Sequence, residues 1–186
     1  YLHEAQPQLR GRHLLIVDDN ETNRHILLKQ TQSWGMESQA VATPTEALML
    51  IEDEHHFDIA ILDMHMPEID GLALANKIRQ LEQTGKTTHQ TKSKHLPLIM
   101  LTSIGERDTL REDELNTADF AAYLAKPIKP SQLFDVLVGI FTGQPTRVHR
   151  RSANAKSIFD AEMGKRRPLH ILLAEDNATN QKLALR

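Results

Sequence analysis

Three acidic residues, one lysine and one threonine stand at the ends of short apolar runs in this chain. Asp18 and Asp19 follow residues 13–17, Asp63 closes 57–62, Thr102 closes 97–101 and Lys126 follows 120–125. Paired acids at a strand end have a plain reading as caps for the next helix. If the runs are strands of one open parallel sheet, however, all five side chains gather beyond its carboxyl edge, where such sheets carry their functional groups. Carboxylates brought together there repel: two charges ~4 Å apart interact by roughly 4 kcal/mol at an effective dielectric near 20. Lys126 offsets one charge, and a hard divalent cation offsets more. Mg²⁺ suits the place because it takes one or two carboxylates, keeps waters and binds phosphate oxygens.

A carboxylate, an ammonium, a hydroxyl and Mg²⁺ are the equipment of phosphoryl transfer, whose transition state spreads charge over the phosphoryl oxygens. Asp63 would attack as a carboxylate nucleophile and become an aspartyl phosphate. Lys126 would pair with one phosphoryl oxygen and the Thr102 hydroxyl would donate to another, while the small Ser103 leaves room for the group. Pro127 keeps the backbone of Lys126 out of helical geometry, which helps aim the ammonium inward.

Those residues need a scaffold, and the pattern supplies one. Apolar runs at 13–18, 57–63, 97–102 and 120–125, with a weaker one at 36–41, read as buried parallel strands. Helices are expected over 20–34, 70–82, 105–115 and 130–141, and another from Thr43-Pro44-Thr45-Glu46, which places Thr at the cap, Pro at the first helical position and Glu three after the cap. His55 and His56 are expected at the end of that helix, where the macrodipole favours positive charge. Five strands alternating with five helices make a doubly wound α/β domain with helices on both faces. The polar stretch 83–95 is long for a connection between a helix and a strand and is expected to be mobile.

Residues 143–168 carry Arg147, Arg150, Arg151, Lys156, Lys165, Arg166 and Arg167 against Asp160 and Glu162, and read as a basic linker. Beyond it, residues 169–180 repeat the first strand and its acids: Glu175-Asp176-Asn177 and Asn180 answer Asp18-Asp19-Asn20 and Asn23. A second unit is expected to start there and to continue past Arg186, its lone strand at 169–174 being disordered or added to another sheet edge.

The formal charge of −3 gives no bulk electrostatic reason to bind nucleic acid, and no apolar run is long enough to span a bilayer. The absence of cysteine rules out thiolate chemistry and suits a reducing compartment. There is no Gly-x-Gly-x-x-Gly, no Walker loop and no Gly-x-Ser-x-Gly elbow, so nucleotide enzymes and hydrolases on this sheet topology are poorly supported.

With Asp18-Asp19-Asn20, Asp63-Met64-His65-Met66-Pro67-Glu68-Ile69-Asp70-Gly71, Leu101-Thr102-Ser103 and Tyr123-Leu124-Ala125-Lys126-Pro127 in order, the chain resembles the receiver domains of response regulators and bacterial hybrid histidine kinases with tandem receivers. The resemblance covers about 12–142, with a fragmentary second match at 169–186 whose acidic pair is Glu175 and Asp176. It implies a flavodoxin-like strand order 2-1-3-4-5, with residues 1–11 a tail after a kinase module. It makes Asp63 the phosphoacceptor, and Mg²⁺ the cofactor, held by Asp19, Asp63 and the His65 main-chain carbonyl, with Asp18 acting through a metal-bound water. Thr102 and Tyr123 fall at the family's switch pair, which alters the surface of the fourth helix, fifth strand and fifth helix, and Lys126-Pro127 would be cis. His65 and Ile104 are at the positions that influence hydrolysis in the family. Thr102 as a strand-end hydroxyl and Tyr123 as plain core packing remain the simpler readings of those two.

The implied partner is a histidine kinase or phosphotransfer domain, with no nucleic acid and no membrane contact by this piece, and room for a homodimer. The implied location is the cytoplasm, even if the parent is a membrane-anchored sensor. The piece lacks a kinase core but would catalyse its own phosphorylation. The competing reading is a degenerate receiver that only docks or dimerises.

Overall fold

A computed structural model describes residues 7–53, 56–84, 95–103 and 118–143. Five strands, β1 (His13–Val17), β2 (Glu37–Val41), β3 (Ile59–Asp63), β4 (Leu98–Thr102) and β5 (Ala122–Ala125), form one sheet in the order β2-β1-β3-β4-β5. Every pairing is parallel. The doubly wound order expected of the chain is the order observed.

Helices α1 (Glu21–Ser33), α2 (Pro44–Glu52), α3 (Gly71–Gln83) and α4 (Pro130–Thr142) cover it. The strand side chains alternate between two cores. Leu14, Ile16, Ile59, Ile61, Ile99 and Leu101 pack with Leu27 and Trp34 of the α1 side and Leu133, Val136 and Leu137 of α4. Leu15, Val17, Ala60, Leu62, Leu98 and Met100 pack with Ala47 and Ile51 of α2 and Leu74, Ala75 and Ile78 of α3. Burial on both faces is why the central strands read as unbroken apolar runs, each large aliphatic side chain contributing about 1.5–3 kcal/mol. β2 lies at the sheet edge and is only half covered, which accounts for its weak apolar signal.

Helix starts follow their caps. Asn20 accepts from the Asn23 N–H, Asp70 from the Ala73 N–H, and Thr43 with Glu46 forms a reciprocal capping box. The expected spans differ from the observed ones mainly at their ends. β3 begins at Ile59 and not at Phe57, because the Asp58 carboxylate turns to accept the His13 N–H at 2.9 Å and an Arg12 N–H at 3.0 Å. α2 ends at Glu52, so His56 lies opposite Asp58, 3.9 Å away, and not at the helix end assigned to it. Leu9, counted with the tail in the sequence, is fully buried in the α1–α4 core, and the Gly11 N–H donates to Gly35.

No helix among the described residues is long and apolar enough to cross a membrane. The helix expected over 105–115, Ile104, residues 85–94 of the long connection, His55, the linker 143–168 apart from Gly143, and the repeat with Glu175 and Asp176 lie outside the described residues.

Candidate functional site

The connections leaving β1 and β3 diverge, α1 to one face of the sheet and α3 to the other, and open a cleft beyond the carboxyl ends of these neighbouring strands. Asp18 and Asp19 stand there after β1, and Asp63 is the last residue of β3. Carboxylate oxygens of the three lie within 4.8 Å of one another. Asp18 is fully buried, Asp63 nearly so, and Asp19 is exposed.

Lys126 reaches this cluster from the end of β5. Its N–H donates to Thr102 O at 2.8 Å, carrying the β4–β5 ladder one step past the strands. The Lys126–Pro127 peptide is cis. The ammonium lies 2.7 Å from Asp63 Oδ2 and 3.2 Å from Asp18 Oδ2. Burial pushes the Asp63 carboxyl above its ordinary range, and the Asp18 charge adds to this, against the hydrogen bond and charge of Lys126 and the His65 N–H. Burial would lower the Lys126 ammonium, but the hydrogen bond it donates to Asp63 and the charges of Asp18 and Asp63 outweigh it and hold the group above its usual value.

Asp18 is heavily engaged. Its Oδ1 accepts from the Asn20 N–H at 2.9 Å, and the Asn23 side-chain amide meets its two oxygens at 3.2 and 3.1 Å. The motifs do not single out Asn23, although its recurrence as Asn180 in the repeat is a signal for it. Arg24 was also missed. Its Nη1 donates to the main-chain carbonyls of Asp18 and Asp19, 2.8 Å from each.

The loop after Asp63 is held tightly. The Gly71 N–H donates to Met64 O at 2.9 Å, and a Cβ at Gly71 would collide with the Asp63 carbonyl oxygen. Glycine is therefore what lets the start of α3 approach the acidic strand end. Glu68, in the same loop, takes a φ of +73°, a left-handed conformation that costs a side-chain-bearing residue about 1–2 kcal/mol. The exposed His65 lies two residues after Asp63, with its backbone facing the site through the N–H bond to Asp63.

Thr102 is buried at the end of β4, paired in register with Ala125. Tyr123 is paired with Met100, two residues further back on the same face, and its ring packs on Phe120 at 5.2 Å between centroids. The structure thus gathers Asp18, Asp19, Asp63 and Lys126, sets Thr102 at the same edge, and keeps Tyr123 in the α3-side core.

Residues 14–138 match the family model of the response regulator receiver domain. The chain belongs to this family. The receiver is 31% identical to a response regulator from Chloroflexus aurantiacus, with a TM-score of 0.59 over 72% of this chain and 99% of that one. It is 27% identical to the receiver domain of a sensor histidine kinase from Pseudomonas aeruginosa, solved with a magnesium ion coordinated in its active-site cleft, with a TM-score of 0.55 over 72% of this chain and 99% of that one.

Curated relatives include histidine kinases. Probable histidine kinase 4 of Oryza sativa subsp. japonica is 29% identical over 69% of this chain, which spans 14% of that protein. The sensory/regulatory protein RpfC of Xanthomonas campestris pv. campestris is 26% identical over 72% of this chain, which spans 17% of it. The chain is thus similar to one module of much longer proteins. Receiver domains of this family bind Mg²⁺ and work with histidine kinase or phosphotransfer partners in two-component signalling.

Proposed function

We propose that this receiver takes a phosphoryl group from a phosphohistidine onto Asp63. The observation that carries the reading is the convergence of Asp18, Asp19 and Asp63 within 4.8 Å, with the Lys126 ammonium 2.7 Å from Asp63.

The donor set fits Mg²⁺: hard oxygens, two of the acids buried, and more negative charge than Lys126 offsets. Asp19, Asp63 and the His65 main-chain carbonyl would hold the ion. Asp18, its oxygens already engaged by Asn20, Asn23 and Lys126, suits a role through water. When bound, Mg²⁺ supplies positive charge against the phosphoryl oxygens.

The chain's own residues do the rest. An Asp63 carboxylate oxygen forms the new O–P bond as the N–P bond of the donor breaks, and the electron pair leaves with the imidazole, which takes up a proton. Lys126 shifts from pairing Asp63 to pairing a phosphoryl oxygen. Thr102 donates its hydroxyl to another phosphoryl oxygen, and that inward pull would release space for Tyr123 and alter the face around β5 and α4. The supporting feature is that Thr102 and Tyr123 share a sheet face. The repeat at 169–180 supports a second receiver in series after the linker 143–168, with Glu175 and Asp176 as its acids, and so a hybrid histidine kinase as parent. A docking-only receiver finds no support in a site that retains every charged group.

Beryllofluoride, which mimics a phosphoryl group on a carboxylate, tests the reading. Fluorine NMR is expected to show bound beryllofluoride on the wild type with Mg²⁺ and none on Asp63→Asn. Equal signals from both proteins would defeat the proposal.

A further inference from the structure

Arg24 is the fourth residue of α1, where a positive charge meets the unfavourable end of the helix dipole. Helix stability therefore gives it no reason to be there. Its guanidinium turns back to the strand end, and one nitrogen, Nη1, bridges the consecutive carbonyls of Asp18 and Asp19, 2.8 Å from each. The next residue back, Asn23, holds the Asp18 carboxylate through its side chain and donates its backbone N–H to the Asn20 cap. The first turn of α1 thus fastens the acidic pair by its backbone and one of its side chains.

We infer that Arg24 is a positioning residue for the Mg²⁺ site, fixing the Asp18–Asp19 backbone so that the exposed Asp19 carboxylate is presented to the ion. This rests on reading the acidic cluster as that site. Groups that orient metal ligands commonly change affinity by about 10–100-fold when removed. For Arg24 the sign of the change is informative. As a mere nearby charge, Arg24 repels a cation, so its removal would tighten Mg²⁺ binding. As a clamp on the ligand backbone, its removal weakens binding. The two roles predict opposite shifts, and Arg24→Lys separates them further, because it keeps the charge and loses the planar donor that bridges two carbonyls.

The test is calorimetric titration of the full chain with Mg²⁺, at a temperature where circular dichroism shows each variant folded. Arg24→Ala and Arg24→Lys are both expected to bind about 10-fold more weakly than the wild type. Arg24→Lys serves if the alanine variant does not fold. Wild-type binding with an Arg24→Ala affinity equal or tighter, or with Arg24→Lys equal to the wild type, overturns the role given to Arg24 alone. If the wild type takes up no Mg²⁺, the reading of the site fails, and this inference with it.

Discussion

Asp63→Asn is expected to abolish phosphorylation and, in the absence of Mg²⁺, to raise the melting temperature at neutral pH. Burial, helped by the Asp18 charge, holds the Asp63 carboxyl above its ordinary range. A carboxyl raised in the folded state binds its proton more tightly there than in the unfolded chain. Its contribution to stability is therefore present below its unfolded value of 3.8 and lost as pH rises through the folded value. At neutral pH the ionised group is a net cost, which Asn removes while still offering Lys126 an oxygen. Lys126 also keeps Asp18, 3.2 Å away.

The gain should be on the order of 1–2 kcal/mol, a few degrees in Tm. Thermal melts with EDTA from pH 8 down to about pH 4 should show the gap closing as Asp63 takes up its proton. Adding Mg²⁺ should narrow or reverse the gap, because a ligand that binds the folded wild type stabilises it and the variant lacks one of the ligand's carboxylates. A variant less stable than the wild type at neutral pH without Mg²⁺ would contradict the electrostatic account.

Lys126→Ala should act in the opposite direction. It leaves the buried Asp18 and Asp63 carboxylates facing one another without the ammonium that bridges them. Removing one partner of a buried charge pair typically costs about 3–5 kcal/mol. The lysine side chain is 28% exposed, so about 2 kcal/mol is the better expectation. The loss should shrink on adding Mg²⁺, which restores positive charge, and at acid pH, where Asp63 takes up its proton. For the wild type, the raised Lys126 ammonium contributes stability below its unfolded value of 10.5, and that stability is lost as pH climbs through the folded value. Alkaline melts should therefore bring wild type and variant together. Phosphorylation should also slow by about 10²–10³-fold, the usual cost of removing one electrostatic stabiliser of a transition state. Lys126→Met, which keeps the apolar stem, checks that packing is not the cause.

The strand ends were legible because of burial. A central parallel strand is apolar on both faces, so an acid such as Asp63 or an Asp18-Asp19 pair stands out as the point where the chain leaves the core. The capping box of Thr43 and Glu46 was legible for a similar reason, since its partners are local in sequence. What was missed depends on contacts distant along the chain, or on a polar side chain folding back. Arg24 and Asn23 look like a solvated helix face and turn out to hold the acidic pair.

Arg79 is the clearest case. An arginine on a helix ordinarily keeps its charge in water, yet this one is buried, donating to Leu96 O, Ala118 O and Asp119 O and pairing with the enclosed Glu82. Glu82 in turn accepts the Leu96 N–H. No periodicity reveals such a network, because its partners arrive from the starts of β4 and β5. Leu9 was hidden by the polar residues around it, which masked a single apolar anchor.

The claim on which the account depends is that Asp63, and not another acid of the cluster, takes the phosphoryl group. The most direct measurement is to expose the chain to a phosphorylated histidine phosphotransfer domain with Mg²⁺, trap the acyl phosphate by borohydride reduction and locate the reduced residue by peptide mass analysis. One reduced site is expected, at position 63, and it should disappear with EDTA. Reduction at Asp18 or Asp19 instead, or no trapped product from a Mg²⁺-loaded protein, would contradict it.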